Sequence, residues 1–326
     1  RGRSAMAARF VREARVTGQL EHPNIVPVYE LGERQDGTLY YTMKLVRGRT
    51  LASALRSCPG LGERLGLLSH YVDLCQAIAY AHSRGVIHRD IKAENVMLGE
   101  FGETVVLDWG LAKVHGQRDL RPQDPVREIL LSASEQESAH KTVDGAAMGT
   151  PAYMSPEQAA GRFSEVDEQS DVWSLGAVLY ELLTGQPPHG GRTVAEVLRR
   201  VQEEPVRPAR EREPAVPPEL AAIAGRALTR DRSRRYASAQ ELAREVEAFQ
   251  SGARVGAYSY SSLELLRRFV ARNRVLTGAA ALLVLVLVVG VVIIANAWRE
   301  ADQAERGQAR ARARAERARE KEQTAK

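Results

Sequence analysis

Asp90, Asn95 and Asp108 are the residues of this chain whose types and spacing could do chemistry. They stand in His88-Arg89-Asp90-Ile91-Lys92-Ala93-Glu94-Asn95 and, eighteen residues beyond Asp90, in Asp108-Trp109-Gly110. Between them run Val96-Met97-Leu98, a short polar turn, and Thr104-Val105-Val106-Leu107. That pattern predicts a hairpin of two short strands carrying one loop at each end. Phosphoryl transfer needs such a set: one carboxylate to accept the nucleophile's proton, and a carboxylate with an amide to hold a divalent cation on the phosphates. Asp90 suits the proton, and Lys92 could spread the charge of the transferring group. Asn95 and Asp108 offer the hard oxygen ligands that Mg²⁺ prefers. An isolated His-Arg-Asp triplet is more often a solvated polar turn, so the case rests on what stands in order with it.

Further motifs do follow in order. Gly149-Thr150-Pro151-Ala152-Tyr153-Met154-Ser155-Pro156-Glu157 reads as the end of a long mobile segment, and Asp171-Val172-Trp173-Ser174-Leu175-Gly176 as the start of a buried helix. Arg235 follows in Asp231-Arg232-Ser233-Arg234-Arg235-Tyr236. With these motifs, over roughly residues 8–250, the chain resembles a bacterial eukaryotic-like Ser/Thr protein kinase. The resemblance implies an α+β, bilobal fold, with a partial β-rich small lobe and a mostly helical large lobe. It implies transfer of the γ-phosphate of ATP, with Mg²⁺ or Mn²⁺, to Ser and Thr of protein substrates. In that frame Asp90 and Lys92 are catalytic, and Asn95 and Asp108 hold the metal. Lys92 argues for Ser/Thr over Tyr substrates. Trp109 stands where the family usually has Phe.

The resemblance places other residues as well. Glu13, ten residues before Pro23, matches the helix glutamate that pairs with an ATP-anchoring lysine. Met43 resembles the gatekeeper, Lys44 and Val46 would offer backbone groups to adenine, and Met97 would floor the adenine pocket. Glu157 and Arg235 would form a carboxylate–guanidinium staple, and Asp171 would brace the catalytic loop. Arg89 marks control by phosphorylation of the 108–157 segment, whose middle holds Ser132, Ser134, Ser138 and Thr142. Thr142, eight residues before Thr150, is the expected phosphorylation position. Thr150 would instead position Asp90 and Lys92. No G-x-G-x-x-G and no lysine precede Glu13, and Lys44 falls in the hinge. The chain therefore reads as N-terminally truncated and inactive alone. One alternative is a pseudokinase that serves as a scaffold. Another is the output domain of a transmembrane receptor whose sensor lies beyond residue 326.

The elements that must position these residues are legible in outline. Residues 4–20 predict a helix, ended by Gly18 and the turn before Pro23. Residues 25–31 and 38–46 predict an antiparallel pair around Asp36-Gly37. Residues 48–85 read as helical, as do 169–184, 193–203, 218–228 and 239–251. Cys75 falls on the apolar stripe Leu65, Leu68, Val72, Cys75, Ala79, which makes it a buried thiol. The only other cysteine is Cys58, so no disulfide framework is expected.

The domain layout follows: 1–47 a partial small lobe, 48–252 the large lobe, 253–274 a basic juxtamembrane segment, 275–298 a transmembrane helix and 299–326 a charged helical stalk. Residues 275–298 carry no charge, and as a helix would be about 36 Å long against a hydrocarbon core of about 30 Å. The net charge of +5 reads as membrane-flanking charge. No aromatic-interleaved basic patch marks a nucleic-acid surface. Lys and Arg number four in 255–274 and six in 299–318. The four on the N-terminal side crowd against the span, however, while Arg299 stands alone just after it. With ATP chemistry confined to the cytoplasm, the expectation is N-terminus inside and C-terminus outside. A homodimer through the span stays open, although no G-x-x-x-G stands there.

Overall fold

The computed structural model describes residues 10–11, 13–114 and 150–324. The chain forms two compact units, Arg1–Tyr258 and Ser259–Lys326. The first opens with helix α1, residues 13–17. Strands β1 (Val28–Glu33) and β2 (Leu39–Met43) pair antiparallel around the Asp36-Gly37 turn. Gly37 takes a φ of 82°, which that turn requires and glycine supplies without strain. The predicted first strand began at residue 25, but its first residues go elsewhere. Ile25 bridges Val106 in parallel, and the Val26 N–H reaches the Val106 carbonyl at 3.2 Å. Pro27 has no N–H for a ladder, so the segment switches partners there.

Residues 48–85 are not one helical run. Gly48–Thr50 is a strand, β3, followed by α2 (Leu51–Arg56), α3 (Leu61–Leu65) and α4 (Leu68–Ser83). Thr50 caps α2, its hydroxyl accepting the Ser53 N–H at 3.1 Å. Pro59-Gly60 and Gly66 separate the helices that follow, as poor helix formers should. Strand β4 is Val86–Ile87, and the predicted hairpin is β5 (Val96–Gly99) with β6 (Thr104–Val106). A last strand, β7 (Lys113–Val114), pairs antiparallel with β4. The sheet order β3-β5-β6 attaches the hairpin to the start of the helical lobe.

That lobe is built on α6 (Glu168–Thr184), which follows the short α5 (Pro156–Ala159). Every residue of α6 from Ser170 to Leu183 is buried except Glu181. A helix apolar nearly all round belongs in the centre of a core. Asp167 caps its start and Gly185, at φ 74°, ends it. Around it stand α4, α7 (Val194–Glu203), α8 (Ala209–Arg212), α9 (Pro218–Ala227) and α10 (Ala239–Gln250). A Cβ on Gly176 would come within 2.7 Å of the Ala227 Cβ, so the glycine permits the close α6–α9 crossing. Cys75 is fully buried on α4, and burial pushes its thiol up to about 12.

The second unit holds α11 (Ser262–Arg272) and α12 (Arg274–Thr324). Within α12, Val275–Gln303 is long and apolar enough to cross a membrane, and none of its most apolar stretch is buried.

Candidate active site

The loops expected to carry catalysis and the metal, residues 88–95 (the catalytic loop) and 107–112 (the metal loop), are held by pairing at both ends. β4 leads into residues 88–95, and β7 follows residues 107–112. Their pairing, Val86 with Val114 and Ile87 with Lys113, closes the two loops against each other. A second tie runs from the Leu107 N–H to the Asn95 carbonyl at 2.8 Å, which puts Asn95 beside the residue preceding Asp108. His88 makes a third link. Its Nδ1 accepts the Asp90 N–H at 3.3 Å, and its ring lies 4.5 Å from that of Trp109. Trp109 is 1% exposed, so the larger ring in place of Phe is a buried plug.

Asp171, at the start of α6, anchors the catalytic loop from below. Its Oδ1 accepts the Arg89 N–H and its Oδ2 the His88 N–H, each at 2.8 Å. His82 Nε2 meets Oδ2 at 2.8 Å. Burial alone would raise the Asp171 pKa, but the hydrogen bond and charge of His82, with His88 and the Arg89 N–H, outweigh it and hold the carboxyl below its ordinary value. Arg89 itself takes φ 70°, a conformation that side chains beyond glycine seldom adopt. The paired N–H bonds to Asp171 are what hold it there. The Arg89 carbonyl also accepts Gln158 Nε2 from α5 at 2.8 Å.

Asp90 Oδ2 accepts Lys92 Nζ at 2.8 Å and Asn95 Nδ2 at 3.3 Å. Among the described residues no donor reaches its other oxygen, Oδ1, which is left to accept a hydroxyl. The Asn95 amide nitrogen also donates to the Asp90 carbonyl at 2.9 Å. Its NH₂ is thereby turned toward Asp90, and its Oδ1 is the atom available to a cation. Asp108 is exposed and takes φ 57°, and its Oδ1 accepts the Gly110 N–H at 3.2 Å. Two oxygen ligands from the protein suit Mg²⁺, which keeps waters and takes the rest of its shell from phosphates. Among the described residues no cluster of three or more His, Cys, Asp or Glu could hold a metal by itself.

Glu13 lies against the metal loop, where a Cβ on Gly110 would come within 2.9 Å of its Oε2. Its Oε1 accepts the Tyr41 hydroxyl at 2.8 Å. Burial raises its pKa, the Tyr41 bond lowers it and the Asp108 charge raises it again, for a net rise. Tyr41 also packs its ring 4.9 Å from that of Phe10, so one side chain fastens α1 to β2. Met43 ends β2 and is exposed, as is Lys44, whose N–H donates to the Pro27 carbonyl at 3.1 Å. Val46 is half-buried before β3, and Met97 is half-buried on β5 opposite Thr50 and Val105.

Glu157 and Arg235 meet as a bidentate pair at 2.8 and 3.2 Å, with Ser170 Oγ donating to Glu157 Oε1 at 2.7 Å. Burial would raise the Glu157 pKa; Arg235 and Ser170 reverse that and lower it. Thr142 and the Thr150 side chain lie outside the described residues, as do Ser132, Ser134 and Ser138. Sequence reasoning missed His82, Tyr41 and Gln158. His82 gave a signal: it continues the stripe Val72, Cys75, Ala79 by one more step, and a histidine on a buried face needs a partner.

Comparison with known proteins agrees with this geometry. A family model described as the protein kinase domain matches residues 2–246. The serine/threonine-protein kinase PknD of Protochlamydia amoebophila is 39% identical over 261 residues, covering 75% of this chain and 26% of that protein. PknD of Chlamydia pneumoniae is 36% identical over 258 residues, with the same coverage. A probable serine/threonine-protein kinase of Streptomyces coelicolor is 38% identical over 257 residues, covering 77% of this chain and 34% of that protein. The chain spans about a quarter of the length of the chlamydial relatives it matches.

Proposed function

The chain belongs to the protein kinase family, alongside bacterial serine/threonine kinases, and on that premise we propose that it transfers phosphate from Mg·ATP to protein Ser and Thr hydroxyls. The observation that carries the proposal is the coupling of Asp90, Lys92, Asn95 and Asp108 through two tied loops. Bound Mg·ATP supplies the phosphoryl group and neutralises its developing charge. Asp90 Oδ1 takes the hydrogen bond of the incoming hydroxyl and then its proton. Lys92, already ion-paired with Asp90 at 2.8 Å, steadies charge on the transferring group. Asn95 Oδ1 and the Asp108 carboxylate would hold the metal. Glu13, Met43, Lys44, Val46 and Met97 would border the nucleotide, Arg89 and Thr142 would couple activity to phosphorylation of the chain's own 108–157 segment, and Thr150 would position Asp90 and Lys92.

Membrane anchoring is part of the proposal. The support is the uncharged run 275–298, which follows Arg274 and ends on Trp298. The kinase unit would face the cytoplasm, with 299–326 on the far side. A homodimer through the span belongs to the same reading.

The test is transfer from labelled ATP with Mg²⁺, with site mapping by mass spectrometry. It is run on the chain as it stands, on the full product of its gene, and on Asp108→Ala. Label that disappears in Asp108→Ala supports a kinase. Folded protein without label in any form moves the reading to a pseudokinase. That outcome has its own observation: the Glu13 carboxylate is already engaged by the Tyr41 hydroxyl at 2.8 Å.

A further inference from the structure

We infer that α11 is a membrane-surface helix that lies along the cytoplasmic face of the bilayer and binds anionic lipid headgroups. The inference rests on the reading of 275–298 as a membrane span and names the partner of the segment before it.

Helix α11 is independently defined at both ends. At its start the Ser261 hydroxyl accepts the Glu264 N–H at 3.3 Å while Glu264 Oε2 accepts the Ser261 N–H at 2.8 Å, a reciprocal cap. At its end Asn273 turns to ψ 49°, and its side chain donates back to the Phe269 carbonyl at 3.0 Å. The chain therefore breaks direction at Asn273 before α12 begins at Arg274. A continuous helix into the span would have no such cap.

The faces of α11 differ in chemistry. Leu263 is 75% exposed, Leu266 59%, Phe269 56% and Val270 44%. At 100° per residue these four share an arc of about 120°. Glu264, Arg268 and Arg272 occupy positions on the opposite arc, and Arg267 borders the stripe next to Leu263. The single acid, Glu264, is engaged in the cap. What remains is a contiguous apolar stripe backed by arginines, the composition of helices that lie in a bilayer interface.

Three observations favour a lipid surface as occupant of that stripe. Only Asn273 and Arg274 separate α11 from Val275, where the uncharged run begins. A span seated in the bilayer thus holds the end of α11 at headgroup depth. A helix of eleven residues leaving along the membrane normal would leave the four large side chains in water. Lying in the plane buries them and brings Arg267, Arg268 and Arg272 to the level of phosphate headgroups.

The test reconstitutes the full chain in vesicles of phosphatidylcholine, with or without phosphatidylglycerol. Phe269→Trp in a Trp298→Phe background places a reporter on the stripe. Trp109 and Trp173, at 1% and 0% exposure in the first unit, give a constant background. The reporter should shift to the blue and be quenched by lipids brominated near the headgroup, more strongly in phosphatidylglycerol. Replacing Arg267, Arg268 and Arg272 together by Ala should weaken docking about fivefold per arginine, on the order of 100-fold in all. High salt should act the same way. Quenching by aqueous acrylamide alone would overturn the inference, while Trp298 quenched by lipid in the otherwise native chain would leave the span standing. If Trp298 also escapes lipid, the span reading fails and the inference with it. Equal docking on both lipids would overturn the anionic preference, and cross-linking of two copies through Leu266→Cys without lipid quenching would assign the stripe to a dimer.

Discussion

At the scale of single residues, Asp90 is the most exposed to test. Asp90→Asn keeps the size, and its amide can still meet Lys92 or Asn95, so the fold should persist. Transfer should fall about 10²–10⁴-fold, the usual contribution of a positioned base. An undiminished rate with an unchanged melting temperature would remove Asp90 from that role. Glu181 carries a second prediction, this one about pH. Its Oε2 accepts the Tyr153 hydroxyl at 2.6 Å, and its pKa is raised to about 7 from 4.5, by burial first, with Glu94 adding to it and Tyr153 and Arg56 opposing. The folded state therefore holds a proton that the unfolded state has lost between about pH 4.5 and 7. The Glu181 contribution to stability consequently falls as pH rises through that window. Glu181→Gln should flatten this slope, stabilising the protein above about pH 7 by roughly 3 kcal/mol and leaving it unchanged below pH 4.5. Melting temperatures across that range read the difference, and parallel curves for the two proteins would refute it. The placement of Asp90, Asn95 and Asp108 on two adjoining loops was legible in the sequence because the strand-forming residues between them fix the hairpin that carries both. The role of Tyr41 was not, since its partner Glu13 lies 28 positions away, and only the packing of α1 on β2 brings them together.

At the scale of elements, the Glu157–Arg235 pair joins α5 to the segment before α10. Arg235 is 2% exposed, and its guanidinium also donates to the carbonyls of Thr229 at 2.7 Å and Gln169 at 3.1 Å. It lies 5.1 Å from the Trp173 ring centroid on α6. Arg235→Ala would strand a buried carboxylate and should cost about 3–5 kcal/mol. Arg235→Lys keeps the charge but not the planar fork, so it should recover only part of that loss. Glu157→Gln combined with Arg235→Ala should be less damaging than the sum of the two, because the stranded charge is gone. Denaturant unfolding of the four proteins measures the coupling, and strict additivity would show that the pair does not act as a unit. Arg235 was readable from its motif, and so were α6, α7, α9 and α10, whose apolar periodicity runs over two or more turns. Strand β3 was not readable: three residues hold no period, and Gly48–Thr50 becomes a strand only because β5 offers it an edge. The Ile25–Val106 bridge was hidden for a similar reason, as its partners are 81 positions apart.

At the scale of the whole molecule, the described site residues belong to the first compact unit, and the candidate span to the second. The candidate span stands out in the sequence because it is an uncharged run of twenty-four residues, and the structure makes that run helical. Its orientation was harder, because Lys and Arg counts over twenty residues, four before and six after, oppose their distribution close to the span. Arg267, Arg268, Arg272 and Arg274 all lie within eight residues of Val275, whereas beyond Trp298 the first arginines are Arg299 and Arg306. Charges nearest the span weigh most in setting orientation, and acidic residues such as Glu300 and Asp302 contribute little. The chemistry decides in the same direction. On the proposed function, a site that uses ATP would face the compartment that holds it, with Asp90 and Asp108 in the cytoplasm and residues 299–326 outside. A reporter enzyme that matures only after export, fused behind Lys326, should therefore be active. The same reporter joined behind Tyr258, with α11 and α12 removed, should be inactive and recovered in the soluble fraction. Replacing Arg267, Arg268, Arg272 and Arg274 by Ala should lower the exported signal by weakening the bias that holds the N-terminal side inside. A silent reporter behind Lys326 in a membrane-bound, intact chain would place residues 299–326 in the cytoplasm and overturn this orientation.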